Sequence, residues 1–148
     1  MKIAVGCDHG GFKLKSELIE SLKKMGHQVK DLGAFSEESC DYPVFAYTVS
    51  KAVGSGRFKR GVLVCKTGIG MAIAANKIRG VRAAVIHDAK SAVSSREHND
   101  SNVIVFGSMF IKTKKAKEIL RIWLNTRALG GRHRRRVRQI TKLEESRK

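Results

Sequence analysis

The stretch Cys65-Lys66-Thr67-Gly68-Ile69-Gly70-Met71 sets a thiol directly before a glycine-containing turn that opens a helical pattern. The first N–H groups of a helix lack intrahelical partners and lie at the positive end of its dipole, so residues 67–70 are suited to hold an anion. A tight strand-to-helix turn would carry the same glycines. The spacing is neither that of a phosphate-binding P-loop nor that of a dinucleotide fingerprint. A free thiol titrates near about 8.5, and helix N-termini or nearby cations lower that value, which makes Cys65 a candidate thiolate. The same position also suits a cysteine acting as a small buried hydrophobe. Asp8-His9-Gly10-Gly11, His87-Asp88 and Arg96-Glu97-His98-Asn99-Asp100 supply further acids, bases and turns. Asp8 reads as a strand-end site residue or as a helix cap. His98 and Asn99 read as site residues or as an ordinary solvated loop.

Elements must bring these groups together. Apolar runs rich in Val and Ile at 3–7, 28–32, 61–65, 82–86 and 102–106 predict five buried parallel strands. Helical spacing occupies 12–25, 42–53, 69–78, 89–96 and 112–126, with Gly26 and Gly54 or Gly56 as stops. The alternation predicts an α/β fold, a doubly wound, Rossmann-like sheet with helices on both faces. Ligands in such sheets bind at the carboxyl ends of the strands, so the expectation is that Asp8-His9, Cys65 to Gly70, His87-Asp88 and the 96–100 loop converge on one rim. A polar last helix, 132–145, follows Gly130-Gly131 and is expected to reach toward a second subunit.

The 148 residues, 42% of them hydrophobic, suffice for one core and one domain spanning 1–148. No run reaches the ~20 apolar residues of a membrane helix, and the N-terminus enters a strand pattern at once, so a soluble cytoplasmic protein is expected. Cys7, Cys40 and Cys65 form neither a CxxC motif nor a zinc-type cluster, consistent with free thiols and no metal. The formal charge of +17 raises the question of nucleic acid, but aromatics are only 6% of the chain, too few for base stacking to be the expected role.

The motifs GCDHGG (6–11), DYP (41–43), CKTGIGM (65–71), NK (76–77), EHND (97–100) and GGRH (130–133) resemble ribose-5-phosphate isomerases of the B type, from residue 1 to about 140. That family also includes enzymes acting on six-carbon sugar phosphates. The resemblance implies a three-layer α/β/α sandwich with a five-stranded parallel sheet, no cofactor, and a homodimer or homotetramer with active sites at the subunit interface. It implies that Cys65 moves the proton between C2 and C1 of an open-chain aldose phosphate. Thr67, Gly68, Ile69 and Gly70 then hold the enediolate oxygen, and His98 opens the sugar ring. Asp8, His9, Tyr42 and Asn99 match positions that contact hydroxyls, and Arg132 and Arg136 match phosphate ligands reaching in from the partner. Four residues apart on a helix, these two arginines share one face, which suits a joint grip on one phosphate.

Two positions depart from the family pattern. Lys66 stands where a small residue, commonly Gly, is usual, and its charge is expected to favour the Cys65 thiolate and to contact substrate. Cys7 replaces a common Ser. Cys7 and Cys65 end strands expected to be neighbours, roughly 4.8 Å apart, within disulfide range if the side chains face each other. An oxidative crosslink between them is therefore an expectation to test.

Overall fold

The computed structural model describes residues 1–146. Five strands, β1 (Lys2–Cys7), β2 (Gln28–Asp31), β3 (Arg60–Cys65), β4 (Ala83–Val85) and β5 (Val103–Gly107), form one parallel sheet in the order β2-β1-β3-β5-β4. Helices α1 (Phe12–Lys24), α2 (Tyr42–Gly54), α3 (Ile69–Ala75), α4 (Ala89–Glu97) and α5 (Thr113–Asn125) connect and cover it, and α6 (Gly131–Glu145) follows. The α/β/α sandwich read from the sequence is correct, with strand limits within a residue or two. Helix α3 is shorter than expected, because the chain turns at Asn76, whose side chain bonds both the N–H and the carbonyl of Ala83 on the edge strand β4.

Alternation along the central strands divides the core into two layers. Ile3, Val5, Cys7, Val62, Val64, Ile104 and Phe106 face α1, α4 and α5, where Leu14, Leu18, Leu22, Ile119, Leu120 and Trp123 are buried. Ala4, Leu63, Cys65, Val103 and Val105 face α2 and α3. Each large side chain in these layers contributes roughly 1.5–3 kcal/mol relative to exposure, so the sheet is held from both faces. Helix α1 ends in a Schellman motif at Gly26, with φ of 78°, where the N–H of His27 reaches the carbonyl of Leu22 and that of Gly26 the carbonyl of Lys23.

One charge is carried into the core. Lys15 is 1% exposed, and its ammonium donates to both carboxylate oxygens of Asp31, at 2.8 and 2.7 Å, and to the carbonyl of Ala34 at 2.6 Å. All three donors are used, and the rings of Phe12 and Phe35 flank the nitrogen. This clamp ties α1 to the segment that leaves β2 and leads to Cys40, Asp41 and Tyr42. Helix α6, by contrast, buries no residue in its own chain. Among the described residues no helix is long and apolar enough to cross a membrane.

Candidate active site

From β1 the chain moves to β2 on one side and later to β3 on the other, so the sheet has its switch point between β1 and β3, where a crevice opens beyond the carboxyl ends. Asp8 and Cys65 stand on its two sides. Asp8 caps the single 3-10 turn His9–Gly11, accepting from the Gly11 N–H at 3.1 Å, while its own N–H donates to the carbonyl of Val64 at 3.2 Å. The cap reading of Asp8 is therefore correct, and it fixes the loop that carries His9. Gly11 lies so close to the Val64 backbone that no Cβ fits there. His9 is turned by the segment beyond β2, since the Cys40 N–H donates to His9 Nδ1 at 3.3 Å. That bond makes Nδ1 an acceptor and leaves Nε2 as the ring's donor.

Cys65 is 5% exposed and ends β3 on the face covered by α2 and α3. The Gly68 N–H donates to Cys65 Sγ at 3.1 Å, a contact that strengthens as negative charge gathers on sulfur. Gly68 adopts φ of 82°, the left-handed conformation that lets the chain fold back over the thiol before α3 begins. The Ile69 N–H is met by Thr67 Oγ1 at 3.3 Å, so two N–H groups expected to be free for an anion are engaged inside the loop. The loop is also pinned from β5: Ser108 N–H donates to the Cys65 carbonyl at 2.8 Å and Met109 N–H to the Lys66 carbonyl at 3.0 Å. Lys66 is exposed at the mouth, with no ion-pair partner among the described residues.

Tyr42, at the start of α2, lies over this loop. A Cβ on Gly70 would meet Tyr42 Cζ at 2.6 Å and its hydroxyl oxygen at 2.9 Å, so Gly70 is the space the ring occupies. Asp8, His9, Tyr42, Cys65, Lys66, Thr67, Gly68, Ile69 and Gly70 are thus assembled on one rim by three segments of the chain.

His98 and Asn99 are not on that rim, which corrects the expectation that the 96–100 loop converges there; Arg132 and Arg136, expected to reach in from a partner, lie on α6 away from it as well. A parallel strand is entered from its amino end, and α4 carries the chain back across the sheet before β5. His98 caps the far end of α4, and Arg82, just before β4, donates through Nε to the carbonyl of Asn99 at 3.1 Å. Cys65 pairs with Gly107 at the other end of β5, five residues beyond Asn102, or about 16 Å along the strand. Helix α6 joins the far cluster: the His98 and His133 rings stack at 4.3 Å, nearly parallel, and Glu144 accepts from the Gly80 N–H at 2.9 Å. His133 is held below the usual imidazole value, first by desolvation and then by His98, Arg132 and Arg136.

The Cys7–Cys65 crosslink is also corrected. The two strands are neighbours, but Cys7 pairs with Val64, and the side chains of Cys7 and Cys65 point to opposite faces of the sheet. Cys7 is buried against the Ala34 carbonyl, and burial pushes its thiol up to about 12. It is a core residue. Among the described residues no group of His, Cys, Asp and Glu side chains is arranged to hold a metal ion.

The sequence reading missed Gly107 and Ser108 at the end of β5. Gly107 leaves no room for a Cβ beside the Thr67 backbone, and Ser108 Oγ donates to the Gly10 carbonyl at 2.7 Å, joining the β1 and β5 loops beneath the crevice. The strand-end rule that singled out Asp8 and Cys65 would have found both.

The family model described as Ribose/Galactose Isomerase matches residues 3–140. The chain is 47% identical over 146 residues to the Ribose-5-phosphate isomerase B of Escherichia coli (strain K12), covering 99% of this chain and 98% of that protein. It is 38% identical to the D-erythrulose-4-phosphate isomerase of Pectobacterium atrosepticum, covering 100% and 98%. The solved Ribose-5-Phosphate Isomerase B of Clostridium thermocellum superposes with a TM-score of 0.98 at 44% identity, covering 100% of both chains. That of Mycoplasma genitalium with bound Ribulose-5-phosphate superposes with a TM-score of 0.94 at 35% identity, covering 98% of this chain and 97% of that one. With its two-layered core, its thiol at the sheet switch point and these matches along nearly all its length, the chain belongs to the ribose/galactose isomerase family.

Proposed function

We propose that the protein interconverts D-ribose 5-phosphate and D-ribulose 5-phosphate, in a site made by two copies of the chain. The observation that carries this reading is the division of the candidate residues. The near rim holds a base and hydroxyl contacts without a phosphate grip; the far rim holds His98, Asn99 and two arginines without a base. Helix α6, which buries no residue in its own chain, is the element able to carry the second set to a neighbour. A symmetric dimer would bring the near rim of each copy against the far rim of the other, making two complete sites.

In this site the partner's His98 opens the furanose ring by moving a proton from O1 to the ring oxygen. Cys65 thiolate takes the proton from C2 and becomes a thiol, and the electron pair of that bond moves into an enediolate. The N–H groups of Thr67 and Gly70, the two of the loop not engaged by Cys65 Sγ or Thr67 Oγ1, the Tyr42 hydroxyl and the Lys66 charge face the oxygens where negative charge develops, which is where fixed donors accelerate reaction most. The thiol then returns the proton to C1 as the O2 hydrogen passes to O1, leaving the ketose. Asp8, His9 and the partner's Asn99 orient the hydroxyls, and the partner's Arg132 and Arg136 hold the phosphate. The relatives differ in sugar, from a pentose phosphate to the tetrulose phosphate named for the Pectobacterium enzyme, so chain length of the substrate is the point to test.

The test is ketose formation by wild-type and Cys65→Ala protein, with EDTA present, from ribose 5-phosphate and separately from allose and galactose 6-phosphates. Turnover of the pentose phosphate that disappears in the variant is expected. Faster turnover of a six-carbon phosphate would replace the substrate, and Cys65→Ala protein with wild-type rates would remove Cys65 as the base.

A further inference from the structure

Asp100 is, among the described residues, the one non-glycine with positive φ, at 47°. An L-residue other than Gly is disfavoured there, and a single residue held in that region by its surroundings marks a constrained segment. The surroundings here are two arginines. Arg82 Nη2 donates to Asp100 Oδ2 at 3.0 Å, and Arg96 Nη1 donates to Oδ1 at 2.7 Å, so each carboxylate oxygen has its own guanidinium. Both arginines also grip the backbone on either side. Arg82 Nε donates to the carbonyls of Asn99 and Asp100, and Arg96 Nη1 to that of Ser101 at 2.6 Å.

The anchors are rigid. Arg96 is 3% exposed, lies against the buried Trp123 ring, and donates through Nε to the Thr126 carbonyl. The Trp123 indole N–H donates to Ser101 Oγ, and Arg82 N–H to Asn102 Oδ1. The loop between α4 and β5 is thereby fixed at all three carbonyls from Asn99 to Ser101, immediately after His98. Such a clamp is more than the turn itself requires, since a glycine at position 100 would make the turn without any arginine.

We infer that Asp100, bridged by Arg82 and Arg96, is a positioning residue that holds His98 and Asn99 in place for the active site of the neighbouring copy. This rests on the shared-site reading above. The carboxylate touches no substrate; it acts through the direction in which the loop presents the imidazole and the amide. Its loss therefore damages the partner's site and leaves the Cys65 rim of its own chain intact.

The test uses co-expressed, differently tagged copies, with mixed dimers isolated on both tags. Asp100→Ala homodimers are expected to lose about tenfold or more in kcat/KM, the size of the left-handed penalty for a residue with a Cβ and no bridging carboxylate. Asp100→Asn, which tolerates left-handed backbone and keeps one acceptor, falls between. A mixed dimer of Cys65→Ala with Asp100→Ala contains one intact site of two, so about half the wild-type activity per dimer returns. A mixed dimer of His98→Ala with Asp100→Ala has no intact site and stays no more active than the Asp100→Ala homodimer. If Asp100→Ala does not fold, Arg82→Gln, which removes one fork and keeps Arg96, takes its place in the same pairings.

Absence of recovery in the Cys65→Ala and Asp100→Ala pair, when Cys65→Ala with His98→Ala does recover, would overturn the inference. So would wild-type activity in Asp100→Ala homodimers. Absence of recovery in the Cys65→Ala and His98→Ala control would instead overturn the shared site itself.

Discussion

Replacing Gly70 by Ala separates stability from function at this site. The new Cβ would lie 2.6–2.9 Å from Cζ, Cε2 and the hydroxyl of Tyr42, and Tyr42 is 39% exposed, so the ring can swing away with little strain. Gly70 is the second residue of α3, where alanine is the better helix former by up to about 1 kcal/mol. For a chain of this size that corresponds to a melting temperature unchanged or raised by about 2–4 °C. In the proposed site the displaced hydroxyl would lose one hydrogen bond to the substrate, with a net value of about 0.5–1.5 kcal/mol, hence an expected drop in kcat/KM of about two- to twelvefold. Tyr42→Phe should fall within the same range. The assay is ketose formation for the two single variants, Tyr42→Ala and the Tyr42→Ala/Gly70→Ala double variant, with melting followed by circular dichroism. In the Tyr42→Ala background, Gly70→Ala should bring no further loss. An equal loss in both backgrounds would show that the loop backbone, not the ring, is what the methyl group disturbs, and would refute the assignment of Gly70 as space for Tyr42.

Two further outcomes follow from buried groups. Lys15→Met removes the only cation paired with Asp31 among the described residues and its bond to the Ala34 carbonyl, and should destabilise the protein by about 3 kcal/mol in urea unfolding, the low end for a broken buried pair because Asp31 is a third exposed and keeps the Gly33 N–H. Adding Asp31→Asn should recover part of this, and a cost no smaller in the double variant would contradict the ion pair as its source. Cys7 keeps its proton to about pH 12 when folded but releases it near 9 when unfolded, so above pH 9 the unfolded chain binds fewer protons and stability falls as pH rises. Between pH 9 and 12 the wild type should lose up to about 1.4 kcal/mol per pH unit more than Cys7→Ala does. Identical slopes for the two proteins would remove Cys7 from the alkaline transition.

The sequence by itself determined the layers and which strand-end residues meet on one rim of the sheet. Buried parallel strands need apolar side chains on both faces, so β1, β3 and β5 stand out as runs of Val, Ile and Leu, and helices with leucines at four-residue spacing, as in α1, have one way to cover them. The rule that loops after such strands carry the chemistry then pointed to Asp8, His9 and Cys65 without any coordinates. The far cluster was legible in residue type but not in place. His98 and Asn99 precede a strand rather than follow one, and which end of the sheet a loop occupies depends on the direction of its crossover, a property of the whole chain. The same holds for Cys7 and Cys65, whose neighbouring strands were foreseen while a one-residue offset in register sent their side chains to opposite faces. Tyr42 over Gly70, the Cys40 N–H on His9 and the two arginines around Asp100 join residues distant in sequence or dependent on exact backbone angles. No local pattern encodes those distances; packing of one element on another sets them.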